Sequence, residues 1–380
     1  MALLKEVQAL LKNQNKKVLV LSSHTQSLFW FRQDMMREFM KLGYQVTAAG
    51  QLPEKDWSQA FSSLGVKYRQ IDVSRNGTNP LNDIKTLISI IGLLREERPQ
   101  SIFAYQAKTV IYGAIGARLC GIKEFYPLIA GVGSVLMAEG GIVKKLMMTE
   151  YRASLKFAKK VMLQNKDNLA FFLENKLVKS EKCEIINGSG VDTERFAVTP
   201  LPEKTAFLCI SRLIRDKGVG EYLDAAREIH KKYPDVKCML VGPFDTNPSA
   251  ITKDELQSYI DDGSVEYFGE QRNVRPYLAD CSVFVLPSYH EGTPKTVLEA
   301  MSCGRAVITT DAPGCRETVT DGENGILVPV KDWKALSHAM EKLIENPGLV
   351  APMGEKGRKI AEEKYDVKKV NAEIIRIMGL

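Results

Sequence analysis

The sequence predicts an α/β fold built as two parallel-sheet domains, and three observations predict it. At 380 residues the chain exceeds what one hydrophobic core usually organises. Short apolar runs alternate with helix-period stretches between Lys17 and Ile129, and the alternation resumes between Thr205 and Val307. Strand–helix–strand units of this spacing imply parallel pairing, because the connection is long enough to cross over. Between the two series, Pro200 and Pro202 sit among polar residues and read as a linker.

Composition narrows the class. A hydrophobic fraction of 44% and a charged fraction of 26% are ordinary for a globular protein. The net charge of +6 suits an acidic small partner such as a nucleotide, a phosphate or an anionic lipid, and does not indicate nucleic acid. Seven cysteines without C-x-x-C spacing argue for a reducing compartment and against a disulfide framework. The longest apolar stretches, near Leu87–Leu94 and Leu128–Ala138, are too short to span a bilayer. The first residues lack a signal-peptide pattern, so the expected location is cytoplasmic.

Taken in order, Leu3, Leu4, Val7, Leu10 and Leu11 recur at helical spacing among Lys5, Lys12, Lys16 and Lys17. Either a helix packed on its own domain or a surface helix resting on a membrane fits this pattern. Lys17–Ser23 is the first strand. The polar loop Ser22–Ser27 follows, then a helix carrying Phe31, Met35, Phe39 and Leu42 on one side, stopped by Gly43. Strands at Tyr44–Ala49, Val66–Val73, Ser101–Tyr105 and Phe125–Ile129 alternate with helices around Leu81–Glu97 and Thr109–Cys120. Ligands of such sheets bind beyond the carboxyl ends of strands. That rule singles out Ser22–Ser27, Tyr105–Lys108 and Gly131–Ser134, and within them His24, Gln106, Lys108 and Gly133. Gly131-Val132-Gly133-Ser134-Val135-Leu136 begins like a dinucleotide fingerprint, but it ends on Leu136 and no acidic residue follows at the usual distance. A nicotinamide-dependent oxidoreductase is thereby disfavoured.

Val143–Lys160 is basic, with Lys144, Lys145, Arg152, Lys156, Lys159 and Lys160 around a stripe of Leu146, Met147, Tyr151, Leu155 and Ala158. Two readings stand: an amphipathic helix with a solvated charged face, or a surface that holds anionic lipid headgroups and positions a lipid-linked acceptor. Short strands at Val161–Gln164 and Ile185–Asn187 complete this half.

The chemistry is more readable in the second half. After a strand at Thr205–Ile210, Arg212 and Lys217 lie five residues apart on a loop entering a helix near Val219. Arginine supplies a planar fork and lysine a point charge, a pair suited to a diphosphate. Lys237–Val241 is the next strand. The apolar run Val283–Pro287 leads into Ser288-Tyr289-His290-Glu291-Gly292-Thr293-Pro294-Lys295-Thr296-Val297-Leu298-Glu299-Ala300-Met301. Thr293 is the expected N-cap, Pro294 the first helical position, and Gly304 marks the far end. Such a turn aims unpaired N–H groups and a positive helix end at the loop, which favours phosphate. Glu291 and Glu299 are not placed for metal ligation, and no other ligand cluster is evident.

With their flanks, Ala279–Ser288 before and Glu299–Val307 after, Glu291 and Glu299 resemble the E-x7-E signature of the retaining nucleotide-sugar glycosyltransferases of family 4. Asn187–Phe196 is similar to the segment that closes the first half in this family, with two residues inserted. Asp311–Glu317 and Asp321–Val328 resemble its closing segments. Gly242-Pro243-Phe244-Asp245-Thr246-Asn247-Pro248 looks like the loop of bacterial enzymes that extend polyprenyl-diphosphate-linked sugars. The likeness covers nearly the whole chain, most specifically from Ser211 onward. It departs from the family in the first loop, which lacks a Gly pair, and at Ala130–Gly133, which lacks a His. His24 either substitutes for that His or is a solvated loop residue.

This resemblance implies the GT-B fold: two Rossmann-like domains with a cleft between them, 1–196 for the acceptor and 197–364 for the nucleotide sugar, and a helix over 365–380 returning to the first. It implies that Arg212 and Lys217 neutralise the departing diphosphate and that Glu291 binds the donor sugar's hydroxyls. Backbone around Gly292, Thr293, Pro294, Thr296 and Val297 brackets sugar and phosphates, although Pro294 has no N–H to give. Glu299 accepts from the ribose hydroxyls, since a carboxylate can take two at once. Arg272 and Asn273 border the nucleobase, and Gly133 faces the donor from the first domain. The implied reaction is transfer, with retention, of a sugar (N-acetylhexosamine favoured) from a UDP-sugar to a glycan or polyprenyl-diphosphate-linked sugar in bacterial surface-glycan synthesis. UDP-sugar is then a co-substrate, with no cofactor and no metal. A soluble-acceptor transferase, a sugar-nucleotide binder without turnover, and an epimerase are the alternatives.

Overall fold

A computed structural model describes residues 16–74, 79–132, 136 and 140–380. The N-terminal amphipathic stretch and Gly133 lie outside the described residues. The described chain forms two compact units, one running up to Ser189 and joined by Asn371–Leu380, the other Gly190–Val370.

The first unit is built on seven parallel strands: β1 (Lys17–Ser22), β2 (Gln45–Gly50), β3 (Lys67–Gln70), β4 (Ser101–Tyr105), β5 (Glu124–Ile129), β6 (Val161–Leu163) and β7 (Cys183–Ile185), ordered β3-β2-β1-β4-β5-β6-β7. Helices α1 (Thr25–Lys41), α2 (Glu54–Ser62), α3 (Pro80–Glu97), α4 (Ala107–Leu119), α5 (Ile142–Ser154) and α6 (Lys166–Glu174) connect them. Local sequence explains the starts of α3 and α6. Asn79 accepts from the Leu81 amide ahead of Pro80, and Asn165 accepts from the Asn168 amide. One core lies between the sheet and α3, α4 and α5, where Leu19, Leu21, Ile90, Ile102, Val110 and Phe125 are all fully or nearly fully buried. Each such side chain contributes about 1.5–3 kcal/mol relative to exposure.

Three expectations here are corrected. Phe31 is 47% exposed, and α1 instead buries Leu28, Arg32, Met35, Met36 and Phe39. Arg32 falls in the buried stripe because 28, 32, 35, 36 and 39 share one helical face. Its guanidinium stacks 5.0 Å from the Tyr105 ring centre and 5.4 Å from that of Phe103, and burial lowers its pKa. The basic segment is not one helix: α5 stops at Ser154, so Lys156, Lys159 and Lys160 leave its face. The last short strand lies at Cys183–Ile185, two residues before its expected place.

The second unit has six parallel strands, β8 (Ala206–Ile210), β9 (Lys237–Val241), β10 (Glu266–Tyr267), β11 (Val283–Leu286), β12 (Ala306–Thr310) and β13 (Gly325–Val328), ordered β10-β9-β8-β11-β12-β13. The helices are α7 (Val219–Lys232), α8 (Lys253–Asp261), α9 (Arg275–Ala279), α10 (Lys295–Ser302), α11 (Trp333–Glu345), α12 (Val350–Lys364) and α13 (Val367–Met378). The segment around Val191 belongs to this unit rather than the first. The Val191 amide bonds the Tyr365 carbonyl at 2.8 Å, and Arg358 donates to the Thr193 and Phe196 carbonyls at 3.0 Å. The end of α13 belongs to the first unit, where the Tyr126 hydroxyl donates to the Met378 carbonyl at 2.9 Å. Among the described residues no helix is long and apolar enough to cross a membrane.

Both sheets reverse their strand order at one place, between β1 and β4 in the first unit and between β8 and β11 in the second. A crevice opens beyond the carboxyl ends of the strands at such a reversal, which is where ligands of open parallel sheets bind.

Candidate active site

In the second unit, the loops leaving β8 and β11 meet at the reversal. Gly218 ends the β8 loop at φ +69, and a Cβ there would lie 2.0 Å from the Pro287 carbonyl oxygen, so only glycine lets the two loops close. The Asp216 carbonyl accepts from the Tyr289 amide at 3.0 Å and the Ser288 hydroxyl at 3.2 Å. This stitching brings the Lys217 ammonium to 2.5 Å from the Glu291 carboxylate, with only 20% and 15% of the two side chains exposed. The Glu291 loop is also held from its other side, through its amide to the Pro313 carbonyl at 2.8 Å. Gly314 sits at φ +82 with its absent Cβ 2.3 Å from the Glu291 carbonyl oxygen.

The helix after this loop starts one residue later than expected. Pro294 has ψ 107 and its carbonyl accepts from the Val297 and Leu298 amides, so Pro294, not Thr293, is the N-cap and Lys295 opens α10. A proline suits the cap because an N-cap amide needs no acceptor within the helix. The N-cap proline has no side-chain group with which to cap α10, and the positive dipole end of the helix faces the loop that carries Glu291. Gly292 is buried, Thr293 and Thr296 are half-buried, and the Val297 side chain is wholly within the core, which leaves only its backbone for a ligand.

Glu299 lies in α10 and is 8% exposed. Desolvation raises its pKa, partly countered by Lys295 and Arg195. Among the described residues no group donates a hydrogen bond to it. A largely desolvated carboxylate without protein donors is stabilised when a ligand supplies them.

Arg212 does not stand beside Lys217 as a bare second cation. Its guanidinium lies 2.7 Å from the carboxylate of Asp245, in the loop after β9. Asp245 went unread in the sequence, where its loop carried only a likeness. The available signal was Asp245-x-Asn247 on the loop of a neighbouring strand. Arg272 and Asn273 are exposed beyond β10, the outermost strand on that side, and Asn273 accepts from the Arg275 side chain at 3.0 Å.

In the first unit, Gln106 has φ +74 and accepts from the Ser22 and Ser23 hydroxyls at 2.8 and 2.7 Å, joining the β1 and β4 loops. Lys108 is paired with Asp83 at 2.7 Å. His24 precedes α1, its carbonyl accepting from the Ser27 amide and hydroxyl. Of the basic residues, Arg152 donates to the Asn175 and Lys176 carbonyls, Lys159 pairs with Glu124, and Lys160 with Glu184. Among the described residues no group of three His, Cys, Asp or Glu side chains could hold a metal ion.

Known proteins resemble the chain across both units. The family model "Glycosyl transferase 4-like" matches residues 17–165 and "Glycosyl transferases group 1" matches 191–360. The chain is 28% identical over 340 residues to the N,N'-diacetylbacillosaminyl-diphospho-undecaprenol alpha-1,3-N-acetylgalactosaminyltransferase of Campylobacter jejuni, covering 85% of this chain and 88% of that one. It is 25% identical over 284 residues to the UDP-Gal:alpha-D-GlcNAc-diphosphoundecaprenol alpha-1,3-galactosyltransferase of Escherichia coli, covering 70% and 72%. In fold it is similar to Anabaena HepE, solved with UDP, at a TM-score of 0.76 and 18% identity, covering 96% of this chain and 99% of that one. The two models together cover every strand except β7, along with the Lys217–Glu291 pair, and the chain belongs to the group 1, family 4-like glycosyltransferases, as an enzyme of the GT-B fold.

Proposed function

We propose that this glycosyltransferase moves a sugar from a UDP-sugar to a polyprenyl-diphosphate-linked sugar or related glycan with retention of configuration, N-acetylhexosamine being the favoured sugar. The observation that carries the donor reading is the Lys217–Glu291 pair, placed at the strand-order reversal before the start of α10. A diphosphate entering there meets the lysine, and sugar hydroxyls meet the acid. Glu299 has unmet acceptor capacity suited to ribose hydroxyls. As the bond from the sugar's anomeric carbon to the diphosphate breaks, Lys217 and Arg212 stabilise the charge left on the phosphates. The acceptor oxygen bonds the same carbon from the same face and passes its proton to a diphosphate oxygen. Groups of this kind contribute about 2.7–4 kcal/mol to transition-state stabilisation, so two cations and a helix end serve without a metal.

The two curated relatives above, whose names specify undecaprenyl-diphosphate-linked sugars, support the acceptor class. A membrane surface fits the exposed residues Ile142, Val143 and Leu146 of α5, which alternate with Lys144 and Lys145. Leu81, Ile84 and Ile88 on α3 are exposed too. The test is a panel of UDP- and GDP-sugars, each offered with a short-chain polyprenyl-diphosphate sugar or a free glycan, with and without EDTA, and anomeric configuration read by NMR. Transfer from a UDP-sugar to the lipid-linked acceptor, undiminished by EDTA and retaining, is expected. Turnover only on free glycans or only with added metal would overturn the corresponding part.

A further inference from the structure

We infer that Asp245 is a positioning residue for the donor diphosphate: it holds the Arg212 guanidinium so that the remaining N–H groups of that side chain face the phosphates. This rests on the reading of Arg212 as a diphosphate ligand.

The contact uses one terminal nitrogen of Arg212 and one oxygen of Asp245, at 2.7 Å. A guanidinium has five N–H donors, so a single-point contact leaves the rest of the fork for an anion. The acid is the inner partner: 15% of the Asp245 side chain is exposed against 38% of Arg212. The arginine is therefore held from behind, with its accessible side left outward.

Asp245 is itself fixed. Its other oxygen accepts from the Asn247 amide at 2.9 Å in an Asx turn, and the Asn247 side chain accepts from the Ser249 amide and hydroxyl at 2.9 and 3.0 Å. Backbone bonds then tie this loop to the phosphate loop on both sides of Arg212's neighbours. The Leu213 amide donates to the Pro243 carbonyl at 3.0 Å, the Ile251 amide to the Leu213 carbonyl at 2.9 Å, and the Arg215 amide to the Ser249 carbonyl at 2.8 Å. A long side chain on an otherwise open loop loses its rotamer freedom when it grips a ligand. Here that ordering is done in advance, which is the physical content of preorganisation.

These two contacts use different oxygens of Asp245, and Asp245→Asn separates them. Asparagine keeps the carbonyl oxygen on the Asn247 amide, which turns its NH2 toward the Arg212 N–H, donor against donor. The loop is preserved and the arginine is released. Asp245→Asn is expected to weaken UDP binding in calorimetry and lower kcat/KM for the donor by about tenfold, with an unchanged melting temperature. In an Arg212→Ala background the same substitution should change neither quantity by more than about twofold, because the residue it acts through is gone. Full additivity of the two substitutions, or wild-type UDP affinity in Asp245→Asn, overturns the inference. Wild-type UDP affinity in Arg212→Ala alone overturns the underlying diphosphate reading instead.

Discussion

Replacing Lys217 with alanine removes the cation that lies 2.5 Å from Glu291, and two magnitudes follow from the geometry. The first is catalytic. A preorganised group facing charge that develops in the transition state is worth about 2.7–4 kcal/mol, so kcat/KM for the donor should fall by about two to three orders of magnitude. The second concerns stability. With 20% and 15% of the side chains exposed, the pair lies between an exposed bridge of about 0–1 kcal/mol and a buried one whose breakage costs about 3–5 kcal/mol. A loss of about 1–2 kcal/mol is expected. For a unit the size of Gly190–Val370 that lowers the melting temperature by roughly 2–8 °C without unfolding it at room temperature. Steady-state transfer at saturating acceptor, alongside thermal unfolding and circular dichroism, measures both. A folded Lys217→Ala enzyme within about threefold of wild-type kcat/KM would refute the assignment of the phosphate site, since the charge would have been shown to stabilise nothing in the reaction.

Glu299 titrates above the usual carboxylate range because it is desolvated. On the proposed reading the ionised form accepts the ribose hydroxyls, and it should be lost as pH falls through that raised value, so UDP affinity weakens on the acid side. Folding has the opposite sign: a raised folded-state pKa gives stability that is present at low pH and lost as pH rises through it. Glu299→Gln should therefore weaken UDP binding at neutral pH, abolish the acid limb of the affinity profile, and leave the fold equally or more stable. An acid limb that survives the substitution would assign the titration elsewhere. Gly314→Ala places a Cβ 2.3 Å from the Glu291 carbonyl oxygen at a residue with φ +82, so it should displace the Glu291 loop and cost at least about 1–2 kcal/mol. Gly348→Ala, with nothing within 4 Å, is the matched control, and equal activity in the two variants would sink the packing argument. On vesicles containing anionic lipid, the paired substitution Ile142→Asp and Lys145→Glu should reduce binding and lipid-acceptor turnover while sparing UDP affinity. Undiminished vesicle binding would remove α5 from any membrane surface.

Much of this protein was legible one segment at a time. Strands at Ser101–Tyr105 and Lys237–Val241 match the sequence reading residue for residue, because a buried parallel strand needs an unbroken apolar run and little else. Lys217, Glu291 and Glu299 stood out as residue types whose chemistry suits a sugar nucleotide. The cap of α10 was misplaced by one residue, since the choice between Thr293 and Pro294 turns on a single ψ angle that composition does not express.

What local pattern could not convey is partnership. Lys217 finds Glu291 across 74 positions and Arg212 finds Asp245 across 33, because β9, β8 and β11 lie side by side. Tertiary contacts likewise tied Arg152, Lys159 and Lys160 to carbonyls and acids of their own domain at its surface, and buried Arg32 against two aromatic rings. Residue chemistry and helix or strand period are properties of a short stretch, so most elements and the kinds of group at their ends could be read before any fold was known. Which groups neutralise which depends on strand order and on loop contacts between distant segments, and these exist in the folded chain alone.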